Sequence, residues 1–253
     1  MKNPAKPSTV TKVSINGSKS TFDPRQIVLV FQGGGALGAY QAGVYQAMHE
    51  AGIEPDWIIG TSIGAINASL IAGNEPQNRL PRLQEFWQRM THKSIWNSGS
   101  AWPQLTQSLS YFNTVVSGIS DFFVPNLAAA LGQSTILGAE HAGYYSTGPL
   151  EKTLLELVDF ELTTQCKPRL TVGAAHVCSS QMRYFDSQEM ELGVKHVMAS
   201  GALPPAFPAV RVDGELYWDG GILSNTPTEI VFDDYPRRNS LIFAVHVWNP
   251  VGP

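Results

Sequence analysis

Cysteine is nearly missing from these 253 residues: Cys166 and Cys178 are too few for a disulfide framework, and neither stands at a metal-ligand spacing. Charge is scarce too, at 15% of the chain against roughly 25% in an average protein. The 17 Lys and Arg against 21 Asp and Glu leave a net −4 with no run of one sign. The basic stripe of a nucleic-acid footprint is therefore lacking. No stretch reaches the roughly 18 uninterrupted apolar residues of a membrane-spanning helix. The polar stretch from Met1 to Gln26 has no signal-peptide core. Together these absences predict a cytoplasmic chain with no nucleic-acid partner. What is present suffices for a core: 43% apolar and 10% aromatic residues exclude disorder for most of the length.

Residues 1–25 mix Ser, Thr, Lys and Pro without a period and read as a flexible leader. Ile27 to Phe31 is then a continuous apolar run, as in a strand buried on both faces, and it stops at Gly33-Gly34-Gly35. From Ala39 to Ala51, Val44, Ala47, Met48 and Ala51 recur at helical spacing before Gly52. Trp57 to Ile59 is a second strand, followed by Gly60-Thr61-Ser62-Ile63-Gly64 and a small-residue helix through Ala72. Strand, turn and helix twice over predict a parallel sheet with crossover helices, an α/β fold. Later stretches read as helices near 79–90, 150–158, 194–199 and 228–232, and as strands near 170–177, 183–185 and 241–248. An Asp213-Gly214 hairpin spans 210–218.

Gly33-Gly34-Gly35-Ala36-Leu37-Gly38 formally matches a dinucleotide-binding loop. That reading also needs an acidic residue at the carboxyl end of the next strand, and Asp56 precedes that strand instead. What the loop offers is successive peptide N–H groups at a helix start, a receptor for anionic oxygen. Gly60-Thr61-Ser62-Ile63-Gly64 is a G-x-S-x-G turn between strand and helix, which lifts a serine hydroxyl above a sheet; a plain capping turn is the alternative. Of the possible bases, His92, His141, His176, His196 and His246 stand in no motif. Asp219, at a strand end before Gly220-Gly221, is the better placed.

Taken together, these motifs resemble the patatin-like phospholipase family. The matching stretches are Gln32 to Ala39, Ile58 to Leu70, Ala199 to Val210 and Asp219 to Pro227. The resemblance implies a three-layer α/β/α fold around a central, mostly parallel sheet. It implies a Ser–Asp dyad without histidine, with Ser62 as nucleophile and Asp219 as base. The loop Gly33-Gly34-Gly35-Ala36 would form the oxyanion hole, chiefly through Gly34, Gly35 and Ala36. Gly38, Gly60, Gly64, Gly220 and Gly221 would be the motif glycines. No metal or cofactor is implied. The expected activity is hydrolysis of lipid acyl esters, of phospholipase A or lysophospholipase type. Acyl transfer or thioester hydrolysis by the same dyad, and a catalytically idle lipid-binding module, are the alternatives. Many members carry Arg or Lys where Leu37 stands here, which leaves the head group open.

Residues 26–253 are expected to form one catalytic domain with a divergent insertion at about 95–139. The chain is read as cut before a further domain. Within the insertion Trp102, Leu105, Leu109, Phe112, Val116, Ile119 and Phe123 recur at steps of three and four, predicting a helix with one apolar stripe. Such a stripe suits peripheral membrane contact, an acyl-chain lining or self-association into an oligomer.

Overall fold

The computed structural model describes residues 26–91, 121–126, 138–165 and 168–248. Its first two strands are β1 (Gln26–Phe31) and β2 (Trp57–Thr61), whose apolar runs are buried almost throughout. They pair in parallel because the connection between them is a helix, α1 (Ala39–Glu50), which returns the chain to the same end of the sheet. The buried residues of α1 are Gln41, Tyr45 and Met48. The spacing of Val44, Ala47 and Ala51 had pointed to a face turned by about one residue. Gln41 belongs inside because its amide is hydrogen-bonded there, which its polarity conceals.

The ten residues of α2 (Ile63–Ala72) are all buried. Ala65, Ala68 and Ala72 let it lie close under the sheet while Ile66, Leu70 and Ile71 fill the core, each worth about 1.5–3 kcal/mol of burial. Next comes α3 (Pro76–Thr91), amphipathic, with Leu83 and Phe86 inward. A short antiparallel pair follows, β3 (Val124–Pro125) with β4 (Tyr145–Ser146). The predicted stripe from Trp102 to Phe123 lies mostly outside the described residues, as does the rest of the insertion. At its end the chain is not helical: Phe122 is in a turn and Phe123 in a β-bridge. The Phe123 ring packs on Tyr145 and Phe207, with centroids at 4.8 and 5.8 Å.

The remaining elements are α4 (Gly148–Leu157), α5 (Phe160–Gln165), β5 (Arg169–His176), β6 (Gln181–Asp186), α6 (Val194–Ser200), β7 (Val210–Val212), β8 (Glu215–Asp219), α7 (Glu229–Asp233) and β9 (Ser240–Val245). Asp213 and Gly214 take φ of 49° and 86°, the two positive values a tight hairpin turn needs between β7 and β8. The sheet is mixed. Four strands, β9-β1-β2-β5, run parallel, while β6, β7 and β8 join antiparallel. Its two covering layers are unequal. One face holds the large core built with α1, α2, α3, α4 and α6; the other packs Val28, Val30, Trp57 and Ile59 against Ile230 and Val231 of α7.

One pairing detail positions everything that follows. Along β5, residues 171–176 pair with β6 on one edge. On the other edge β2 pairs as far as Gly173, opposite Thr61, and β8 takes over at Ala174, opposite Asp219. The carboxyl ends of β2 and β8 therefore point at each other, about one residue step (roughly 3.3 Å) apart along β5.

Candidate active site

Ser62 is the residue that leaves β2 at this junction. Its φ of 58° and ψ of −126° are rare for a residue with a side chain, a strain that costs about 1–3 kcal/mol. The surroundings enforce it. A Cβ on Gly60 would stand 2.3 Å from the Gly64 carbonyl oxygen, and one on Gly64 would stand 2.4 Å from the Phe31 carbonyl oxygen. Both motif glycines thus let α2 start immediately above β1 and β2, and Ser62 is left half-buried at the helix N-terminus. The Ser62 N–H donates to the Ser200 hydroxyl at 2.9 Å.

Asp219 closes β8 and is only 2% exposed. One carboxylate oxygen accepts the Gly221 N–H at 2.7 Å. A Cβ on Gly220 would meet the Gly173 carbonyl oxygen at 2.5 Å, so this turn too sits tight against β5. Burial pushes the Asp219 carboxyl up to about 6; hydrogen bonding from the Ser62 hydroxyl and the Gly221 N–H pulls it partly back. Ser62 and Asp219 thus stand at the facing ends of β2 and β8, and burial makes this carboxyl hold its proton more tightly than an ordinary one.

The glycine loop stands beside them. A Cβ on Gly33 would be 3.1 Å from the Ser62 Cβ, which places the loop against the serine. Gly33 is the anchor of the loop. Its N–H donates to the Asn225 carbonyl at 3.0 Å, and its own carbonyl accepts from Asn225 Nδ2 (3.1 Å) and Trp248 Nε1 (3.2 Å). With its N–H so committed, Gly33 has none to offer an oxyanion, in contrast to its inclusion among the loop donors expected from sequence. Gly34 is half-buried, whereas Gly35 and Ala36 are exposed. The N–H groups of these three donate to no described residue in a turn or side-chain bond, as expected at the start of the short 3₁₀ turn Gly35–Gly38. Gly35 has a φ of +57°, a conformation that a side chain would strain. At Gly38 a Cβ would meet Ile63 Cγ1 at 2.5 Å.

Buried amides hold the loop from behind. Gln41 donates to the Gln32 carbonyl at 2.6 Å; Asn67 donates to Gln41 and to the Gly38 carbonyl; Trp87 donates to Asn67. From the other side Gln32 Oε1 accepts the Val247 and Trp248 N–H groups. A strained serine, a buried acid and a row of N–H groups at one end of a sheet are the kinds of group that acyl transfer uses.

Residues 29–232 match the family described as patatin-like phospholipase. The chain belongs to that family. Similar to this patatin-like domain are "Lysophospholipase nte1" of Aspergillus terreus, 29% identical over 79% of the chain and 11% of the relative, and "Patatin-like phospholipase domain-containing protein 7" of Rattus norvegicus, 27% identical over 81% and 12%. The chain thus spans about a tenth of the length of these curated relatives. Among solved structures, VipD from Legionella pneumophila is similar with a TM-score of 0.46 and 19% identity, over 87% of this chain and 49% of that one.

Other sequence-derived candidates lie elsewhere in the patatin-like domain. Asp56 accepts the Ile27 N–H at 2.9 Å, at the opposite end of β1 from the glycine loop, so it cannot hold a ribose there. His176 bonds Ser179 and Glu215, His196 bonds the Gly193 backbone, and His92 lies outside the described residues. Among the described residues no histidine bonds Ser62 or Asp219, and no cluster of His, Cys, Asp and Glu suits a metal. No described helix is long and apolar enough to cross a membrane. Asn225 and Ser200 were not singled out from the sequence. They lie inside the stretches 219–227 and 199–210 that match the family, but nothing in a lone Asn or Ser announces a structural bond.

The surface carried by these segments is apolar. Leu37, Leu203, Ile222, Leu223 and Trp248 are each 43–57% exposed. They come from the glycine loop, from the segment whose Ala202 carbonyl binds the Asp219 N–H, from the turn after Asp219, and from the residue that bonds Gly33. In the segments 32–38, 61–64, 200–208, 219–226 and 245–248, Asp219 is the one Asp, Glu, Lys or Arg.

Proposed function

We propose that this domain is a serine lipid acyl hydrolase of phospholipase A or lysophospholipase type. The observation that supports the reading is the head-on meeting of β2 and β8 on one edge of β5, with Ser62 following one strand end, Asp219 closing the other, and the loop Gly33 to Ala36 packed against Ser62. The names of the relatives support an ester of a lipid, and the apolar mouth supports an acyl chain.

In the first half-reaction Ser62 Oγ attacks the ester carbonyl carbon and Asp219 accepts the hydroxyl proton. The carbonyl oxygen becomes an oxyanion held by the N–H groups of Gly34, Gly35 and Ala36, aided by the N-terminus of α2. Collapse expels the alcohol, which takes the proton from Asp219, and leaves an acyl-serine. Water repeats the sequence: Asp219 takes its proton, hydroxide adds to the acyl carbon, and Ser62 departs protonated. A carboxyl at about 6 is a better base than an ordinary carboxylate near 4, yet still far below an alcohol. Much of the rate must then come from the oxyanion donors, each worth about 3–4 kcal/mol.

The test is a fluorophosphonate probe together with a panel of phospholipid, lysophospholipid, triglyceride and acyl-thioester substrates. The expected result is covalent labelling at Ser62 and hydrolysis of lipid esters, with Ser62→Ala and Asp219→Asn each lowering hydrolysis by roughly 1,000-fold or more while the protein stays folded. An unlabelled, folded wild-type protein would sink the reading and leave a lipid-binding module. Membrane contact through residues 95–139 would add to this function, and flotation with liposomes tests it directly.

A further inference from the structure

Where the carboxyl ends of β2 and β8 face each other, β5 passes from one partner to the other, and the last residue facing β2 is Gly173. Its carbonyl oxygen is not left bare. The Ser200 hydroxyl donates to it at 2.6 Å and accepts the Ser62 N–H at 2.9 Å. Ser200 is fully buried at the carboxyl end of α6, among Val197, Met198 and Ala199 of the core. The same Gly173 carbonyl abuts Gly220, the residue after Asp219. One hydroxyl therefore ties the strained serine to the strand position on which the acid's turn rests.

We propose that Ser200 is a positioning residue, whose bridge from the Gly173 carbonyl to the Ser62 N–H fixes the separation of Ser62 and Asp219. The proposal rests on the reading of Ser62 as nucleophile. Without the bridge, two buried backbone groups lose their partner together, and Ser62 can relax from its strained conformation toward an ordinary helix start. Its hydroxyl then turns away from the carboxylate. The Gly33 loop and the apolar mouth do not depend on Ser200, so substrate binding is kept while the chemical step suffers.

The experiment compares wild type with Ser200→Ala and Ser200→Thr by the rate of fluorophosphonate labelling, by kcat and KM on a soluble acyl ester, and by the pH dependence of labelling. Ser200→Ala is expected to slow labelling and kcat by 10- to 100-fold, as roughly 1.4–2.8 kcal/mol of lost positioning would. KM should stay within about threefold. The pH midpoint should move upward, because Asp219 loses the Ser62 hydroxyl that favours its charged form. Ser200→Thr keeps the hydroxyl and should recover much of the rate. If Ser200→Ala does not fold, Ser200→Cys keeps the volume with a weak hydrogen-bonding group and should show the same slowing. Labelling at the wild-type rate and midpoint in Ser200→Ala, or in Ser200→Cys where Ser200→Ala does not fold, overturns the proposal even if the Tm is lowered. A wild-type protein that does not label defeats the nucleophile assignment itself, a separate and distinguishable failure.

Discussion

Asp219 is costly to keep. Its carboxyl sits at about 6 because burial disfavours the charge, whereas the unfolded chain holds it near 3.9. Between those two values the folded protein retains a proton that the unfolded chain has lost. Stability therefore falls as pH rises through this window, and above it the charged acid costs on the order of 2–3 kcal/mol. Asp219→Asn keeps an oxygen for the Gly221 N–H and removes the charge. It should unfold at higher denaturant than wild type at pH 8, with the gain vanishing at pH 4, while activity is lost at both. Urea titrations at the two pH values check this. For wild type, kcat/KM should climb with pH around a midpoint near 6 and level off above it. At this scale the sequence singles out Ser62 and Asp219 as candidates, since a serine in a glycine-flanked turn and an acid before two glycines leave a visible mark. It was silent about Ser200 and Asn225. Each acts through one or two backbone hydrogen bonds, and such bonds impose no pattern on neighbouring letters.

The element that delivers the serine is built on two contacts that admit no side chain. Gly60→Ala or Gly64→Ala would drive a methyl group into backbone oxygens 2.3–2.4 Å away, and neither β1 nor α2 can retreat without breaking the ladder. Each should cost about 3 kcal/mol or more and release the strained turn. Gly43→Ala, on the exposed side of α1 with nothing within 4 Å, should instead stabilise by up to about 1 kcal/mol. Thermal or urea unfolding of the three variants separates the cases. Strands and helices were largely readable in advance because their apolar periods are clean. The inward face of α1 was not, because Gln41 lies in the core as a hydrogen-bonding group. The mixed character of the sheet was also hidden: the Asp213-Gly214 hairpin announces two antiparallel strands but not which edge of the sheet they join.

Seen as a whole, the molecule gathers its mouth from four separated segments, and none of them brings a cation. Under the proposed function, the exposed apolar side chains of Leu37, Leu203, Ile222, Leu223 and Trp248 would be the ones to meet an acyl chain. Placing a charge there, as in Ile222→Glu, should lower kcat/KM for long-chain esters by tenfold or more and for acetyl esters by less than about threefold, a difference that a chain-length series measures. The same long-range assembly governs when reactivity first arises. During synthesis the serine emerges early, on a chain that has not yet made its acid or the strand that carries it. In the proposed mechanism a hydroxyl in that state lacks its general base, so a half-finished copy would not attack lipid esters. Under the proposed function, competence would arrive only when β8 docks against β5, so that the completed fold itself would arm the domain.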